Sequence, residues 1–233
     1  MKNSSGLIVE FIGMPGSGKS TLNNKVKETL EQNEFDVENP TADIASKNRL
    51  IRVMIKLIYF GLELLFHPLA ALNYMRFIFF TKQKSFKDFS KVTLNLFYIS
   101  YLMRKSENNN SITILDQGIL QALWSVFLSS RLTFGELSKY ELFEFIIPDL
   151  IIKVEVDHQI LNNRLEKRSS NQSRLGQITS ENRDFKASEK LFNLLNGLAE
   201  KNQVSIIKVK NNTEEQLLNS KCLIKNEIDQ LLA

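Results

Sequence analysis

The fold is decided by one short stretch, Gly13-Met14-Pro15-Gly16-Ser17-Gly18-Lys19-Ser20. It has the spacing Gly-x-x-x-x-Gly-Lys-Ser, it follows an apolar, β-branched run over 6–12, and an amphipathic pattern starts at Ser20. A glycine-rich turn between a strand and a helix lets backbone N–H groups converge on an anion, and the helix N-terminus adds its positive end. The stretch therefore predicts a strand, a phosphate-binding loop and a helix, in that order.

The residue types within this loop predict particular roles toward a nucleoside triphosphate. The backbone of 13–18 would wrap the β-phosphate, and Lys19 would bridge the β- and γ-phosphates. The Ser20 hydroxyl would ligate Mg²⁺, and Thr21 would lie near the α-phosphate. We therefore expect ATP and Mg²⁺ as ligands, with a nucleotide-binding set that runs from Gly13 to Thr21.

A second candidate site residue is Asp116, which directly follows the hydrophobic run Ile112-Thr113-Ile114-Leu115. In an open parallel sheet, ligands bind outside the carboxyl ends of the strands, where this carboxylate would lie. Two interpretations stay open. Asp116 either holds Mg²⁺ or accepts a proton from an incoming hydroxyl, or it is the N-cap of a helix that starts at Gly118.

Hydrophobic periodicity over the rest of the chain predicts alternating strands and helices. Strands are expected over 35–38, 111–115, 150–156 and 204–209, and helices over 20–34, 118–130, 134–147, 158–168, 181–201 and 213–232. Such alternation is typical of an α/β fold with a parallel sheet and helices on both faces. Residues 42–106 show no strand pattern, so a single domain over 1–233 is expected to carry a helical insertion after its second strand.

The glycine loop and Asp116 resemble the thymidylate kinase-like branch of the P-loop nucleotide kinase superfamily. The stretch 148–157 and the helix that carries Arg164-Leu165-Glu166-Lys167-Arg168 add to the likeness. The resemblance implies a five-stranded parallel sheet in the order 2-3-1-4-5 and an ATP-dependent kinase activity. It also implies that Arg164 packs against the adenine. Arg168 would lie at the base of a lid over 168–183 and would reach the transferring phosphate, and Arg174 and Arg183 are further lid candidates. The implied catalytic set is Lys19, Asp116 and Arg168.

One departure from the family concerns the phosphate acceptor. Thymidylate kinases usually follow the strand-end Asp with an arginine that holds the acceptor's phosphate, whereas Gln117 follows Asp116 here. Thymidine monophosphate is therefore expected to be a poor acceptor. The turn Glu38-Asn39-Pro40 resembles the family's acidic-Pro turn, and Glu38 would face the acceptor.

The alternative function is a regulatory ATPase that uses the insertion as an interaction surface.

The insertion is unusually apolar over 50–80, but charged residues interrupt it. No uncharged run approaches the ~20 residues that span a bilayer. Five polar residues recur there at spacings of three or four and form one stripe along a helix: Arg52, Lys56, Tyr59, Glu63 and His67. Three interpretations stay open: the apolar part is buried against other helices of the insertion, it forms an acceptor pocket, or it contacts a membrane surface or a partner.

Composition narrows the remaining function classes. The chain has 233 residues and a net charge of +4, without the dense Lys/Arg stripe that indicates nucleic-acid binding. Cys222 is the only cysteine, which excludes an intramolecular disulfide and a thiolate metal cluster. The N-terminal residues lack a signal-peptide pattern, so the cytoplasm is the expected compartment. The sequence leaves the oligomeric state open and is compatible with a homodimer.

Overall fold

The computed structural model of the chain describes residues 6–132, 136, 145–166 and 204–232. Within them, five parallel strands form one sheet in the order β2-β3-β1-β4-β5, which confirms the order that the resemblance implied. The strands are β1 (Leu7–Ile12), β2 (Val37–Glu38), β3 (Ile112–Leu115), β4 (Leu150–Glu155) and β5 (Ser205–Lys210).

Helices connect the strands and cover both faces of the sheet. They are α1 (Lys19–Gln32), α2 (Pro40–Ala45), α3 (Arg49–Phe66), α4 (Pro68–Phe80), α5 (Phe86–Glu107), α6 (Ile119–Ser129), α7 (His158–Glu166) and α8 (Glu214–Leu232). Helices α2 to α5 lie in sequence between β2 and β3, where the pattern predicted helices and no strand. The helix predicted over 134–147 is wrong at its end, because residues 145–147 are not helical. The helix predicted over 181–201 lies outside the described residues.

Strand β1 is the centre of the sheet and is buried over its whole length. It pairs with β3 on one side, Leu7 opposite Ile112, and with β4 on the other, Val9 opposite Leu150. Because every strand is parallel, all the carboxyl ends meet at one edge. The glycine loop leaves β1 at that edge, and Asp116 leaves β3 there.

The side chains on the two faces of β1 belong to two separate apolar clusters. Val9 and Phe11 pack with α1 and α8, whereas Ile8 and Ile12 pack with α5 and α6. This alternation follows from the two-residue period of a strand, and it leaves both faces buried, as expected for a parallel sheet. Glu10 lies on the same face as Ile8 and Ile12, inside this apolar environment, and it is fully buried.

Helix α3 turns its polar stripe inward, toward α5. Lys56 Nζ donates a hydrogen bond of 2.7 Å to Asn95 Oδ1, and Arg104 Nε donates one of 3.0 Å to the buried carboxylate of Glu63. The apolar residues of α3 face solvent instead, with Leu57 51% exposed. The interpretation that the apolar part is buried is therefore wrong for α3, because the partners of its polar side chains lie on α5. On α4, by contrast, Tyr74, Phe77 and Ile78 are buried.

No single helix among the described residues is long and apolar enough to cross a membrane. Helices α3 and α4 pass a length and composition test only when they are taken together, and they are bent by 119° relative to each other. The bend occurs where His67 ends α3 and Pro68 starts α4.

Candidate active site

The glycine loop closes on itself at the carboxyl end of β1. Ser17 N donates a hydrogen bond of 3.0 Å to Met14 O, and Pro15 with Gly16 forms the turn between them. Lys19 Nζ donates to Gly13 O at 2.8 Å and to Met14 O at 3.3 Å, so its ammonium lies over the loop. The loop residues and the lysine that sequence analysis predicted to bind phosphate are thus brought together.

The junction of the loop with α1 requires glycine. Gly18 is the N-cap of α1 with φ of 83°, a backbone conformation that side chains disfavour. A Cβ atom at Gly18 would also lie 2.3 Å from Asn211 Nδ2. No side chain caps this helix. Its first N–H groups therefore face the space at the loop, where an anion would satisfy them.

Ser20 and Asp116 meet although they are 96 positions apart in the sequence. Ser20 Oγ donates a hydrogen bond of 2.9 Å to Asp116 Oδ2. The backbone N–H of Asp116 donates to Thr41 Oγ1 at 3.1 Å, which fixes the start of the turn after β3. The other carboxylate oxygen, Oδ1, is buried and accepts no hydrogen bond from the described residues.

This pair of oxygen donors fits Mg²⁺. A buried carboxylate oxygen without a donor is a ready ligand, and the adjacent hydroxyl is a second hard oxygen. Within 6–132, 136, 145–166 and 204–232, no group of three or more His, Cys, Asp and Glu residues could hold a metal ion. The donor set therefore suits an ion that takes one or two protein ligands and completes its shell with phosphate oxygens and water.

The N-terminus of α6 is occupied by Glu10, which decides between the two interpretations of Asp116. Glu10 Oε2 accepts a hydrogen bond of 3.2 Å from Leu120 N, and Oε1 accepts one of 3.0 Å from Gln121 N. The N-cap residue itself, Gly118, makes no side-chain cap, and a Cβ there would lie 2.4 Å from Glu10 Cδ. Asp116 is therefore not the cap of this helix.

Burial raises the pKa of Glu10 to about 7, and the backbone N–H groups of 118–121 partly offset this rise. Sequence analysis missed the role of this residue. Its signal was a single carboxylate inside the otherwise apolar run over 6–12. A charge that is buried in a central strand needs strong donors, and a helix N-terminus supplies them.

Arg164 lies against the outer side of the glycine loop. Its Nη2 donates a hydrogen bond of 3.0 Å to Asn211 O, and its Nη1 reaches Ser17 O at 3.5 Å. Asn211 Nδ2 donates to the same Ser17 oxygen at 2.7 Å. Asn211, just after β5, is a second residue that sequence analysis missed, and its signal was an Asn-Asn-Thr turn between a strand and a helix.

Comparisons with known proteins agree with this architecture. No family model matches the chain, and no curated protein matches its sequence. Among solved structures, thymidylate kinase from Candida albicans is 15% identical, with 97% of this chain and 92% of that chain covered and a TM-score of 0.54. Deoxyadenosine kinase from M. mycoides with bound dATP is 15% identical, with coverage of 96% and 100% and a TM-score of 0.51. The chain has the fold of the P-loop nucleotide kinases.

Within this P-loop kinase fold, some of the predicted residues are exposed and others lie outside the described residues. Glu38 ends β2 and is exposed, and so is Gln117. Thr21 is exposed in the first turn of α1. Arg168 and the segment 168–183, with its further arginines, lie outside the described residues, so their predicted roles stay predictions.

A cleft of about 970 Å³ lies away from the loop, at the amino-terminal edge of the sheet. Leu7 and Ser205, the first residues of β1 and β5, contribute to its lining together with His67 and Asp149. The glycine loop and Asp116 do not line it. We therefore place the candidate active site at the carboxyl edge on its chemistry and not on cavity size.

Proposed function

We propose that this protein is an ATP- and Mg²⁺-dependent kinase that phosphorylates a small-molecule acceptor. The observation that carries the proposal is the 2.9 Å contact between Ser20 Oγ and Asp116 Oδ2 at the mouth of the glycine loop. It unites a phosphate-binding helix N-terminus and a strand-end carboxylate at one edge of the sheet. Those two elements are what phosphoryl transfer from a nucleoside triphosphate requires.

In this proposal each residue of the site has a distinct task. The loop amides and Lys19 bind the β- and γ-phosphates and hold the transferring group in line. Ser20 and Asp116 would hold Mg²⁺, which neutralises phosphate charge when it is bound. Phosphoryl transfer needs positioning and positive charge more than covalent chemistry, so no nucleophilic side chain is required.

Two arginines complete the proposed site. Arg164 already lies against the loop through Ser17 O, a position from which its guanidinium can stack on a base. Arg168, by resemblance to the kinase family, adds positive charge to the transferring phosphate. Glu38 is the proposed acceptor-side residue, and its exposure at the end of β2 is compatible with that task.

The acceptor is proposed to be a nucleoside, a nucleotide or another metabolite whose body carries little charge. Gln117 is exposed next to Asp116, and a neutral amide cannot form the bidentate, charge-assisted pair that arginine makes with phosphate. Loss of such a pair costs about 2 to 5 kcal/mol in a closed site. Thymidine monophosphate should therefore be used much less efficiently than the best acceptor.

The test is label transfer from ATP labelled on the γ-phosphate. The full chain is incubated with Mg²⁺ and, separately, with a pool of nucleosides, a pool of nucleoside monophosphates, and a wider metabolite extract. We expect label in one acceptor of these pools, and at least about a hundredfold slower labelling with the Lys19→Ala variant. Release of inorganic phosphate at a rate that no pool changes would contradict a kinase.

That contrary result would favour the second candidate function, a regulatory ATPase that acts through its insertion. The observation in its favour is the solvent-facing apolar side of α3, which none of the tasks assigned above to the kinase site requires. The kinase proposal is preferred because it gives a role to the acceptor-side residue Glu38 as well as to the glycine loop.

A further inference from the structure

The outer face of α3 and α4 is an exposed apolar surface. On α3, large apolar side chains recur at helical spacing with exposed fractions of 77% for Leu50, 62% for Met54, 51% for Leu57, 57% for Ile58 and 71% for Leu65. Further large apolar side chains are exposed on α4 and at the start of α5, namely Leu69, Leu72, Phe79, Phe80 and Phe86. Contiguous apolar surfaces of this kind are rare on monomeric proteins and mark sites that bind something.

Among the described residues, no element covers this face. The inward side of α3 is the polar one, held to α5 through Lys56 with Asn95 and through Glu63 with Arg104. A Cβ added at Gly61, in the middle of the outer face, would meet no atom within 4 Å. The apolar side of α3 thus remains in contact with solvent although the polar side is satisfied.

The net charge of the insertion indicates what kind of partner would cover this face. The insertion over 42–106 contains eleven Lys and Arg but three Asp and Glu, so its net charge is +8, whereas the whole chain has +4. The rest of the chain is therefore net negative. The exposed cations that accompany the face are Lys47, Arg49, Arg76, Lys82, Lys84, Lys87 and Lys91.

The three acids of the insertion do little to lower this positive charge at the outer face. Glu63 is buried and paired with Arg104. Asp88 is half-buried in the first turn of α5, where it accepts a hydrogen bond from Ser85 Oγ, and Asp43 in α2 is exposed. A second copy of the chain on this face would bring two strongly basic surfaces together, so charge disfavours a homodimer through it.

We propose that the outer face of α3 and α4 docks on the surface of an anionic phospholipid bilayer. Apolar side chains of an amphipathic helix enter the boundary between headgroups and acyl chains, and flanking Lys and Arg bind the anionic headgroups. The 119° bend between α3 and α4 means that the two helices do not form one straight span. The docking surface is built from other residues than the glycine loop and Asp116.

The test is co-sedimentation of the full chain with large unilamellar vesicles. Vesicles of phosphatidylcholine with 30 mol% phosphatidylglycerol are compared with vesicles of phosphatidylcholine alone. The double variant Met54→Glu/Leu57→Glu removes two contacts of the face. The control Leu218→Glu/Leu223→Glu changes two leucines of α8 with similar exposure, 46% and 49%. Thermal melting of both variants checks that they are folded.

We expect binding to the anionic vesicles that weakens in 0.5 M salt and is far weaker on the neutral vesicles. The α3 double variant should bind at least about tenfold less, because burial of a single Leu or Met side chain is worth that much. The α8 double variant should bind as the wild type does.

Three results would overturn the proposal. Absence of wild-type binding to the anionic vesicles is one, and equal loss in both double variants is another. A lipid-free dimer that Met54→Glu/Leu57→Glu dissociates, without vesicle binding by the wild type, would assign the face to a second copy. Since no arm of the experiment measures phosphoryl transfer, its outcome is independent of the kinase proposal.

Discussion

The carboxyl edge of the sheet and the insertion distribute their polar residues in opposite ways. At the edge, apolar strands lie inside and the polar groups of Ser20 and Asp116 meet at the mouth of the loop. In α3 the polar groups of Lys56 and Glu63 point inward and the apolar side chains point out. The two regions belong to one chain, yet only the first follows the usual rule of apolar inside and polar outside.

The difference shows what periodicity alone can decide. A stripe of polar residues at spacings of three and four identifies the two sides of a helix, but it does not say which side faces the protein. That choice depends on the facing element. Helix α5 offers Arg104 and Asn95, which satisfy a carboxylate and an ammonium that water would otherwise solvate.

The largest expected effect comes from breaking the inward-facing ion pair between Glu63 and Arg104. Glu63→Ala should lower the free energy of unfolding by about 3 kcal/mol, the lower end of the cost of breaking a buried ion pair, because Arg104 loses its carboxylate but keeps its hydrogen bond to Tyr74 and is 23% exposed. The matched control is Asp229→Ala, which removes an exposed ion pair with Lys225 on α8 and should cost under ~1 kcal/mol. Urea denaturation of both variants measures the difference. Equal effects would mean that the polar side of α3 does not hold the insertion.

The next effect concerns the loop edge. Lys19→Ala should lower kcat/KM for phosphoryl transfer by about 10²- to 10³-fold, as expected when one group that stabilises transition-state charge is removed. Lys25→Ala, six residues further along the same helix, is the control and should keep wild-type kinetics. Steady-state assays measure both, with circular dichroism to confirm folding. Wild-type turnover in Lys19→Ala would refute the phosphate assignment.

A third prediction concerns Glu10, a carboxylate that is fully buried in the sheet core. Its pKa is raised from 4.5 to about 7, so the folded state binds the proton more tightly than the unfolded state. The contribution of Glu10 to the free energy of unfolding is therefore greatest below about pH 4.5, and it declines by about 3 kcal/mol as the pH rises to 7. Glu10→Gln cannot titrate and should lose this part of the pH dependence.

The measurement for Glu10 is urea denaturation at several pH values from 4.5 to 7.5. The wild type and the exposed control Glu38→Gln should show the same decline, and Glu10→Gln a smaller one. Parallel curves for all three proteins would show that the carboxylate does not titrate in the core.

The smallest expected effect sharpens the contrast between the two kinds of helix face. Leu57→Ala, on the outer face of α3, should change the free energy of unfolding by less than ~0.5 kcal/mol. Leu22→Ala, fully buried in α1, should cost about 2 to 5 kcal/mol. Thermal denaturation of the two variants compares them directly. A large cost at Leu57 would indicate that this face is covered within the protein itself.

Much of the fold was predictable because buried parallel strands are continuous apolar runs. The strand predicted over 150–156 is observed as Leu150–Glu155, and that over 204–209 as Ser205–Lys210. The strand predicted over 35–38 is shorter, Val37–Glu38, since it lies at the sheet edge and pairs only with β3. Strand order came from the family resemblance, because apolar runs do not specify which strands are neighbours.

The candidate site was predictable where its signal is local. The spacing of the glycine loop identified its residues, and the strand before Asp116 placed that carboxylate at the same edge. The partners of the loop were not predictable, because Asn211 meets Ser17 across 194 positions of sequence. The cap supplied by Glu10 was missed for the same reason, since its partners in α6 lie 110 and 111 positions away.

The most direct test of the central claim is amide hydrogen exchange of the full chain with two additions made separately. One is a non-hydrolysable ATP analogue with Mg²⁺, and the other is the anionic vesicles. Our account predicts that the nucleotide slows exchange over 13–21 and leaves 50–66 unchanged, whereas the vesicles do the reverse. Exchange over 13–21 that is unchanged by the nucleotide would contradict the assignment of the loop edge as the site of phosphate chemistry.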